Sequence, residues 1–391
     1  MLNGPFSPWP SFTEEEANAV RDVLLSNKVN YWTGQQCREF EREFADFAEA
    51  EHAIALANGT LALDLALKGL GIGPGDEVVV TPRTFLASVS SIVTAGAVPV
   101  FAEVNADSQN ITAETVHAVL TERTRAVICV HLAGWPCDMD PMMELAKEHG
   151  LFVIEDCAQA HGARYKGRSV GSIGHVGCWS FCQDKIMTTG GEGGMVATND
   201  RELWSRMWSY KDHGKSWEAV YEREHPPGFR WLHESFGTNW RMTEMQGVIG
   251  RIQLRRMPEW TERRRANCEA VWQTARECRG LRVPDVPESV GHGGYKCYIF
   301  VEPSAFNAGW DRDRVISEVI GAGVPCFSGS CSEVYFEKAI QDADMAPAER
   351  LPVARELGET SLMFLVHPTL TADEIKLTCD VLARVMKEAT A

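Results

Sequence analysis

What this chain lacks narrows its class first. No uninterrupted apolar run approaches the roughly 20 residues that span a bilayer, and the stretch from Met1 to Pro10 has neither the basic flank nor the apolar core of a signal peptide. Both absences read as a cytoplasmic protein with no membrane partner. Positive charge is also short: 38 Lys and Arg stand against 54 Asp and Glu, a formal charge of -16. That sign opposes nonspecific binding to nucleic acid or to anionic lipid, so a bound anion needs a local site. The 12 cysteines are scattered with no pair of CxxC motifs, which argues against zinc and for free buried thiols in a reducing compartment. No metal site is expected. The glycine fingerprint of a dinucleotide fold is missing too, because Gly69, Gly71, Gly73 and Gly75 follow a helical run and precede a strand, the reverse of its order. Gly162 to Ser169 nearly has P-loop spacing, but Arg168 stands where lysine is required and Gly171-Ser172-Ile173-Gly174 follows where a helix should begin.

What is present is an ordinary globular composition, 391 residues with 45% hydrophobic and 24% charged, enough for two or three domains. Thr13-Glu14-Glu15-Glu16 has capping-box spacing and predicts a helix to about Leu25, with Phe12 as a hydrophobic staple. A second helix is expected near 36–50. Short apolar runs at 53–57, 77–81, 98–101, 126–132, 151–155, 176–182 and 195–198 are interleaved with helical runs such as 61–70 and 86–95. That alternation predicts an α/β fold with a mixed, mostly parallel sheet covered on both faces. Helices near 243–257 and 261–279, a Pro-rich break at 284–287 and a strand at 297–301 predict a smaller C-terminal α+β domain. The boundary is placed near 250, giving a large domain over 1–250 and a small one over 251–391.

Lys185 is the most informative residue. It lies in Trp179-Ser180-Phe181-Cys182-Gln183-Asp184-Lys185 and is followed by Thr188-Thr189-Gly190-Gly191-Glu192-Gly193-Gly194. An apolar setting disfavours the ammonium and favours a neutral amine that can condense with an aldehyde; an isolated lysine in such a patch is otherwise a surface residue beside a buried strand. Asn58-Gly59-Thr60 falls where a strand gives way to a helix, a place for an anion or merely a cap. Asp156 closes the strand Leu151 to Glu155, where a carboxylate can pair with a protonated ring nitrogen or cap a helix. Ser180 lies five residues before Lys185, so one loop offers a hydroxyl and an amine. Phe85 either faces a planar ring or packs in the core.

Taken in order, Asn58-Gly59-Thr60, Thr84-Phe85, Val130-His131-Leu132, Ile154-Glu155-Asp156 with Gln159 and His161-Gly162-Ala163, Ser180-Phe181, Lys185, Thr188-Thr189-Gly190 with Glu192-Gly193-Gly194, and Asn239-Trp240-Arg241-Met242 resemble the sugar aminotransferases of the DegT/DnrJ/EryC1/StrS family. The resemblance runs from about Trp32 to Gly250 and implies an aspartate-aminotransferase-like fold of type I, a homodimer with shared active sites, and pyridoxal 5'-phosphate as cofactor. Lys185 would then form the Schiff base and shuttle the proton, Asp156 would hold the pyridine nitrogen protonated, Gln159 would bond the ring hydroxyl and Phe85 would stack on the ring. Gly59, Thr60 and Ser180 would hold the phosphate, with Asn239 reaching it from the neighbouring subunit. Glutamate is the implied amino donor and a nucleotide-linked keto sugar, of the 4-keto-6-deoxyhexose class, the acceptor. Tyr31, Trp32 and Arg241 are expected near that substrate. An inosose acceptor, or a noncatalytic regulator of the same fold, are the competing readings; a histidine in place of Lys185 would mark the branch that removes hydroxyls. Two departures stand out: one extra glycine in the 188–194 loop, and a longer 215–237 connection whose Trp217, Tyr221, Phe229, Trp231 and Phe236 either contact ligand or pack across a dimer.

Overall fold

The strand runs assemble into one seven-stranded sheet. The computed structural model describes residues 5–391. In chain order the strands are β1 His52–Leu56, β2 Glu77–Val80, β3 Val98–Phe101, β4 Thr124–Val130 and β5 Phe152–Asp156, then the short β6 Arg164–Tyr165 and β7 Arg168–Ser169, then β8 Val176–Ser180 and β9 Gly194–Thr198. The sheet order is β1-β9-β8-β5-β4-β2-β3. β9 is antiparallel to both neighbours and every other pair is parallel, so all strands but β9 deliver their carboxyl ends to one edge. β6 and β7 form a hairpin, which explains why the P-loop-like spacing leads to no helix.

Both sheet faces are covered, as continuous apolar strands require. One face packs Leu63, Leu67, Val89, Ile92 and Met207 from helices Gly59–Gly69, Ala87–Thr94 and Arg201–Lys211. On the other side Phe40 and Phe44 of helix Gln36–Ala48 meet Trp179 and Phe181, while Met142 and Leu145 of helix Met139–His149 meet Val127 and Val153. The first helix, Glu14–Leu25, starts at the expected capping box on Thr13 and Glu16. Phe12 stands 47% exposed, so the expected staple does not form.

A single helix, Glu244–Arg276, runs through position 250, in place of the two helices expected near 243–257 and 261–279. Thr243 and Gln246 cap its start, and it continues past Pro258. Proline removes one N–H and disfavours the turn before it, but packing overrides that cost. Gly250 lies so close to the Phe40 ring that a Cβ there would approach it to 2.5 Å, and the same helix also packs on helices Glu14–Leu25 and Ala372–Thr390. Beyond it come β10 Leu281–Arg282, β11 Val290–Gly291, β12 Cys297–Val301, β13 Cys326–Phe327 and β14 Ser361–Phe364. β10-β12-β14-β13 form an antiparallel sheet, while β11 pairs with β6 and so ties the C-terminal part to the β6–β7 hairpin in a separate three-stranded sheet. No helix among the described residues is long and apolar enough to cross a membrane.

Three buried histidines make the fold acid-sensitive. Burial pushes His161, His292 and His367 from the usual 6.5 down to about 3. The unfolded chain therefore takes up these protons first, so the stability of the neutral forms is complete above about pH 6.5 and is lost as pH falls toward 3. Each histidine is expected to withdraw about 2 kcal/mol between pH 6.5 and pH 5. Urea unfolding at pH 7.5 and pH 5 measures the loss, and a His292→Gln variant should show less of it; equal stability at the two pH values would contradict the assignment.

Candidate active site

Ligands in open α/β sheets sit beyond the carboxyl ends of the strands. A cleft of about 960 Å3 opens at that edge and extends to residues of the small sheet. Gly59 and Thr60 open helix Gly59–Gly69, and Asn58 caps it by accepting the Leu61 N–H at 3.0 Å. The remaining free N–H groups and the positive end of the helix dipole form an anion cradle. Its second wall is Ser180, at the end of β8. A Cβ on Gly59 would lie 2.5 Å from the Ser180 Cβ, and one on Gly194 would lie 2.2 Å from the Asn58 carbonyl oxygen. Only residues without side chains let the helix start and the strand end meet so closely.

β5 sends its last two side chains in opposite directions, as a strand must. Asp156 lines the cleft, where its Oδ2 accepts the Ser88 hydroxyl at 2.8 Å and its Oδ1 accepts the Ala158 N–H at 3.1 Å. Ser88 in turn bonds Thr84 at 2.9 Å. Glu155 is fully buried behind it and accepts the N–H groups of Gly171, Ile173 and Gly174 at 2.8, 2.8 and 2.6 Å. His131 completes the cage: its Nδ1 accepts the Cys137 N–H, so its Nε2–H donates to Glu155 at 2.9 Å. Burial raises the Glu155 carboxyl, but His131 and the backbone donors bring it below the usual carboxylate range. His131, Glu155 and Cys157 stand at metal-ligand spacing among the described residues, yet both ring nitrogens are spent on internal bonds.

Gln159 is fixed by accepting the Ala133 N–H at 2.9 Å through Oε1, which leaves its amide NH2 to donate into the cleft. Phe85 precedes helix Ala87–Thr94 by two residues and is 70% exposed on the cleft wall, so the core-packing alternative is set aside. The apolar setting expected around Lys185 belongs to its neighbours. Ile186 and Met187 are buried, whereas Lys185 is half-buried with its Nζ 5.4 Å from the centre of the Tyr295 ring. Trp9 Nε1–H donates to the Lys185 carbonyl at 2.8 Å, and Asp184 accepts the Tyr295 hydroxyl at 2.6 Å. Burial raises the Asp184 carboxyl, but the Lys185 charge and the Tyr295 hydroxyl hold it below its ordinary value. The extra glycine of the following loop is absorbed by consecutive left-handed residues, Gly190 at φ 92° and Gly191 at φ 119°.

Four expected residues do not join this cleft in the chain. Tyr31, expected near substrate, is corrected outright: it is 1% exposed, and its hydroxyl donates to Glu41 at 3.0 Å and accepts the Trp208 Nε1–H at 3.2 Å. Trp32 and Arg241 converge on buried Asp212, at 2.9 and 2.6 Å, together with Lys215 at 3.0 Å. Asn239 bridges to Asp212 through backbone and is exposed. The five aromatics of 215–237 divide: Trp217 packs edge-to-face with Trp204 and Trp208 and at a tilt on Tyr221, while Phe229, Trp231 and Phe236 stand 77%, 80% and 99% exposed. None of the five lines the cleft. Conversely Ser88, Asp184, Arg264, Tyr295, Lys296 and His367 line it without having been expected. Asp184 adjoins Lys185 in the sequence and was detectable; the others arrive through long-range packing. Because Tyr31 anchors Glu41 away from the cleft, Tyr31→Phe is expected to lower stability in urea by about 1–2 kcal/mol and to leave ligand binding in the cleft unchanged, which titration of the folded variant checks.

The chain as a whole has counterparts among known proteins. Residues 10–383 match the model of the DegT/DnrJ/EryC1/StrS aminotransferase family. The chain is 40% identical to the GDP-perosamine synthase of Escherichia coli O157:H7 over 95% of both chains. It is 36% identical to a UDP-N-acetyl-3-dehydro-alpha-D-glucosamine 3-aminotransferase of Acidithiobacillus ferrooxidans, over 94% of this chain and 95% of that one. Among solved structures, an aminotransferase from Psychrobacter cryohalolentis is 62% identical and superposes with a TM-score of 0.98 over 99% of this chain and 100% of that one. The pyridoxal phosphate form of a sugar aminotransferase from Streptococcus pneumoniae superposes at 0.86 with 25% identity over 99% of both. The fold is therefore the type I fold expected, and this chain is an aminotransferase that belongs to the DegT/DnrJ/EryC1/StrS family.

Proposed function

We propose that this enzyme moves an amino group from glutamate, by way of pyridoxal 5'-phosphate, to a keto sugar carried on a nucleoside diphosphate, of the 4-keto-6-deoxyhexose class. The observation that carries the reading is the meeting of the Gly59, Thr60 and Ser180 cradle, Asp156, Phe85 and Lys185 in one cleft of about 960 Å3. The residues fit the cofactor: the cradle suits a phosphate, the oriented carboxylate suits a pyridinium N–H, and a phenyl ring 70% exposed offers a face for a heteroaromatic plane. When bound, the cofactor supplies the electron sink that a carbon beside an amine needs in order to lose a proton.

The chain's own groups do the rest. Ser88 and the Ala158 N–H fix the Asp156 carboxylate in the cleft, where it would hold the proton on the ring nitrogen. Gln159, braced by Ala133, would donate to the ring hydroxyl, and Phe85 would cover one ring face. Lys185 Nζ, carried beside Tyr295, would take the proton from the donor's carbon in the first half-reaction and supply one to the acceptor's carbon in the second. Donor and acceptor use the same place in turn, so the kinetics are of the ping-pong type. Asn239 is exposed and outside its own cleft, which supports a homodimer in which it reaches the partner's phosphate; exposed Phe229, Trp231 and Phe236 are surfaces for such a contact. A cytoplasmic location goes with this reading and is supported by the twelve free thiols, which suit a reducing compartment.

The test separates the half-reactions. Enzyme with pyridoxal phosphate and glutamate, but no sugar, should release one equivalent of 2-oxoglutarate per site and then aminate an added nucleotide-linked 4-keto-6-deoxyhexose, read by mass. Lys185→Ala should lower both steps at least about 100-fold with the fold intact by circular dichroism. Failure to release 2-oxoglutarate would overturn the reading; release followed by amination of an inosose or a 3-keto sugar alone would overturn the acceptor assignment.

A further inference from the structure

The wall of the cleft supplied by C-terminal residues holds more positive charge than the chain neutralises. Arg264 is 1% exposed and lines the cleft, yet its Nε and Nη2 have no hydrogen-bond partner among the described residues, while Nη1 donates to the Gly294 carbonyl at 3.3 Å. Nε and Nη2 form one edge of the guanidinium, the edge that meets a carboxylate with two parallel bonds. The Arg264 guanidinium carbon lies 4.7 Å from the Trp9 ring centre, and His367 stacks on the same ring at 5.8 Å. His367 Nδ1 bonds Thr369 at 2.9 Å, while its buried Nε2 is left without a partner. Lys296 Nζ stands 4.9 Å from the Tyr295 ring centre, the ring that Lys185 also approaches. These cations feel each other. Burial first, then the Arg264 and Lys185 charges against the opposing pull of Asp184, lower Lys296 to about 8, and burial lowers Arg264 to about 9 with only Tyr295 and Cys268 acting in the opposite direction.

A buried guanidinium without a counter-ion is unfavourable, and natural proteins keep one where a ligand provides the charge. We infer that Arg264, Lys296 and His367 form a carboxylate subsite, and that in this enzyme it takes a carboxylate of the amino donor. The donor assignment rests on the proposed function, since glutamate carries two carboxylates and a 4-keto-6-deoxy sugar carries none. Arg264 grips the group bidentately and Lys296 adds charge; Thr369 spends its hydroxyl hydrogen on the Pro8 carbonyl at 2.9 Å, so His367 Nδ1–H donates to Thr369 and Nε2 becomes a donor only when the bound carboxylate holds a second proton on the ring. Lys185 stands beside the same Tyr295 ring, so a carboxylate bound here leaves the amine-bearing carbon in reach of its Nζ. Donors with a neutral amide in place of the gripped carboxylate should bind poorly.

Binding of glutarate, which has both carboxylates and no amine to transfer, to the pyridoxal phosphate holoenzyme tests the subsite by calorimetry without turnover. Lys296→Gln should weaken glutarate at least tenfold and raise the glutamate KM with little change in the acceptor KM. Arg264→Lys keeps the charge but loses the fork and should weaken it as well; glutaramide should not bind the wild type. Unchanged glutarate affinity in both folded variants would overturn the subsite. Weakened glutarate binding with a raised acceptor KM and an unchanged glutamate KM would overturn the donor assignment and assign the subsite to an acidic sugar. A holoenzyme that binds glutarate through Lys296 but moves no amino group would refute the proposed function and leave the subsite standing.

Discussion

The site depends on one close contact, the start of helix Gly59–Gly69 against the end of β8. Gly59 meets Ser180 where a Cβ would come within 2.5 Å, and Gly194 of the intervening β9 sits where a Cβ would come within 2.2 Å of the Asn58 carbonyl. β9 therefore lies between β1 and β8 and lets the two strands that carry the cradle approach across it. A side chain at either glycine would separate the helix dipole from the Ser180 hydroxyl, and the anion would lose one half of its binding.

From that contact the rest of the cleft is built by pairs of opposed residues. Glu155 and Asp156 are neighbours on β5 that face opposite ways: one is caged by His131 and three backbone N–H groups, the other is steered by Ser88 into the cleft. The caged carboxylate anchors the strand end and the 171–174 turn, so the steered one stands on a rigid base. Asp184 and Lys185 form a second such pair. Asp184 is held by the Tyr295 hydroxyl, and Lys185 lies over the face of the same ring. One tyrosine from the C-terminal region thus orders the loop that carries the amine.

Much of this was legible in the sequence because it is local. The strands at 98–101 and 297–301 have the expected bounds, and the Thr13 cap, the Asn58-Gly59-Thr60 junction and the carboxylate at a strand end are each set within a few residues. Apart from the Phe12 staple and Asp184, the misses are non-local. Ser88 reaches Asp156 across 68 residues, and Tyr31 is drawn into the core by Trp208 across 177. In Tyr31-Trp32-Thr33-Gly34 nothing distinguishes a loop aromatic facing substrate from one facing Glu41. Pro258 reads as a break because local propensity disfavours it, yet helix Glu244–Arg276 is held straight through it by the helices packed on both of its halves. Arg264 sits among Arg263 and Arg265 on that helix, and only the packing shows which of the three turns inward.

The central claim is that Lys185, Asp156 and the Gly59, Thr60 and Ser180 cradle act together on one cofactor. The most direct measurement is the visible absorption spectrum of the purified protein with pyridoxal phosphate, recorded alone, after glutamate, and after 2-oxoglutarate. The account predicts a yellow band that glutamate bleaches and 2-oxoglutarate restores. A protein that remains colourless, or a Lys185→Ala variant with the same band and the same response, would contradict it.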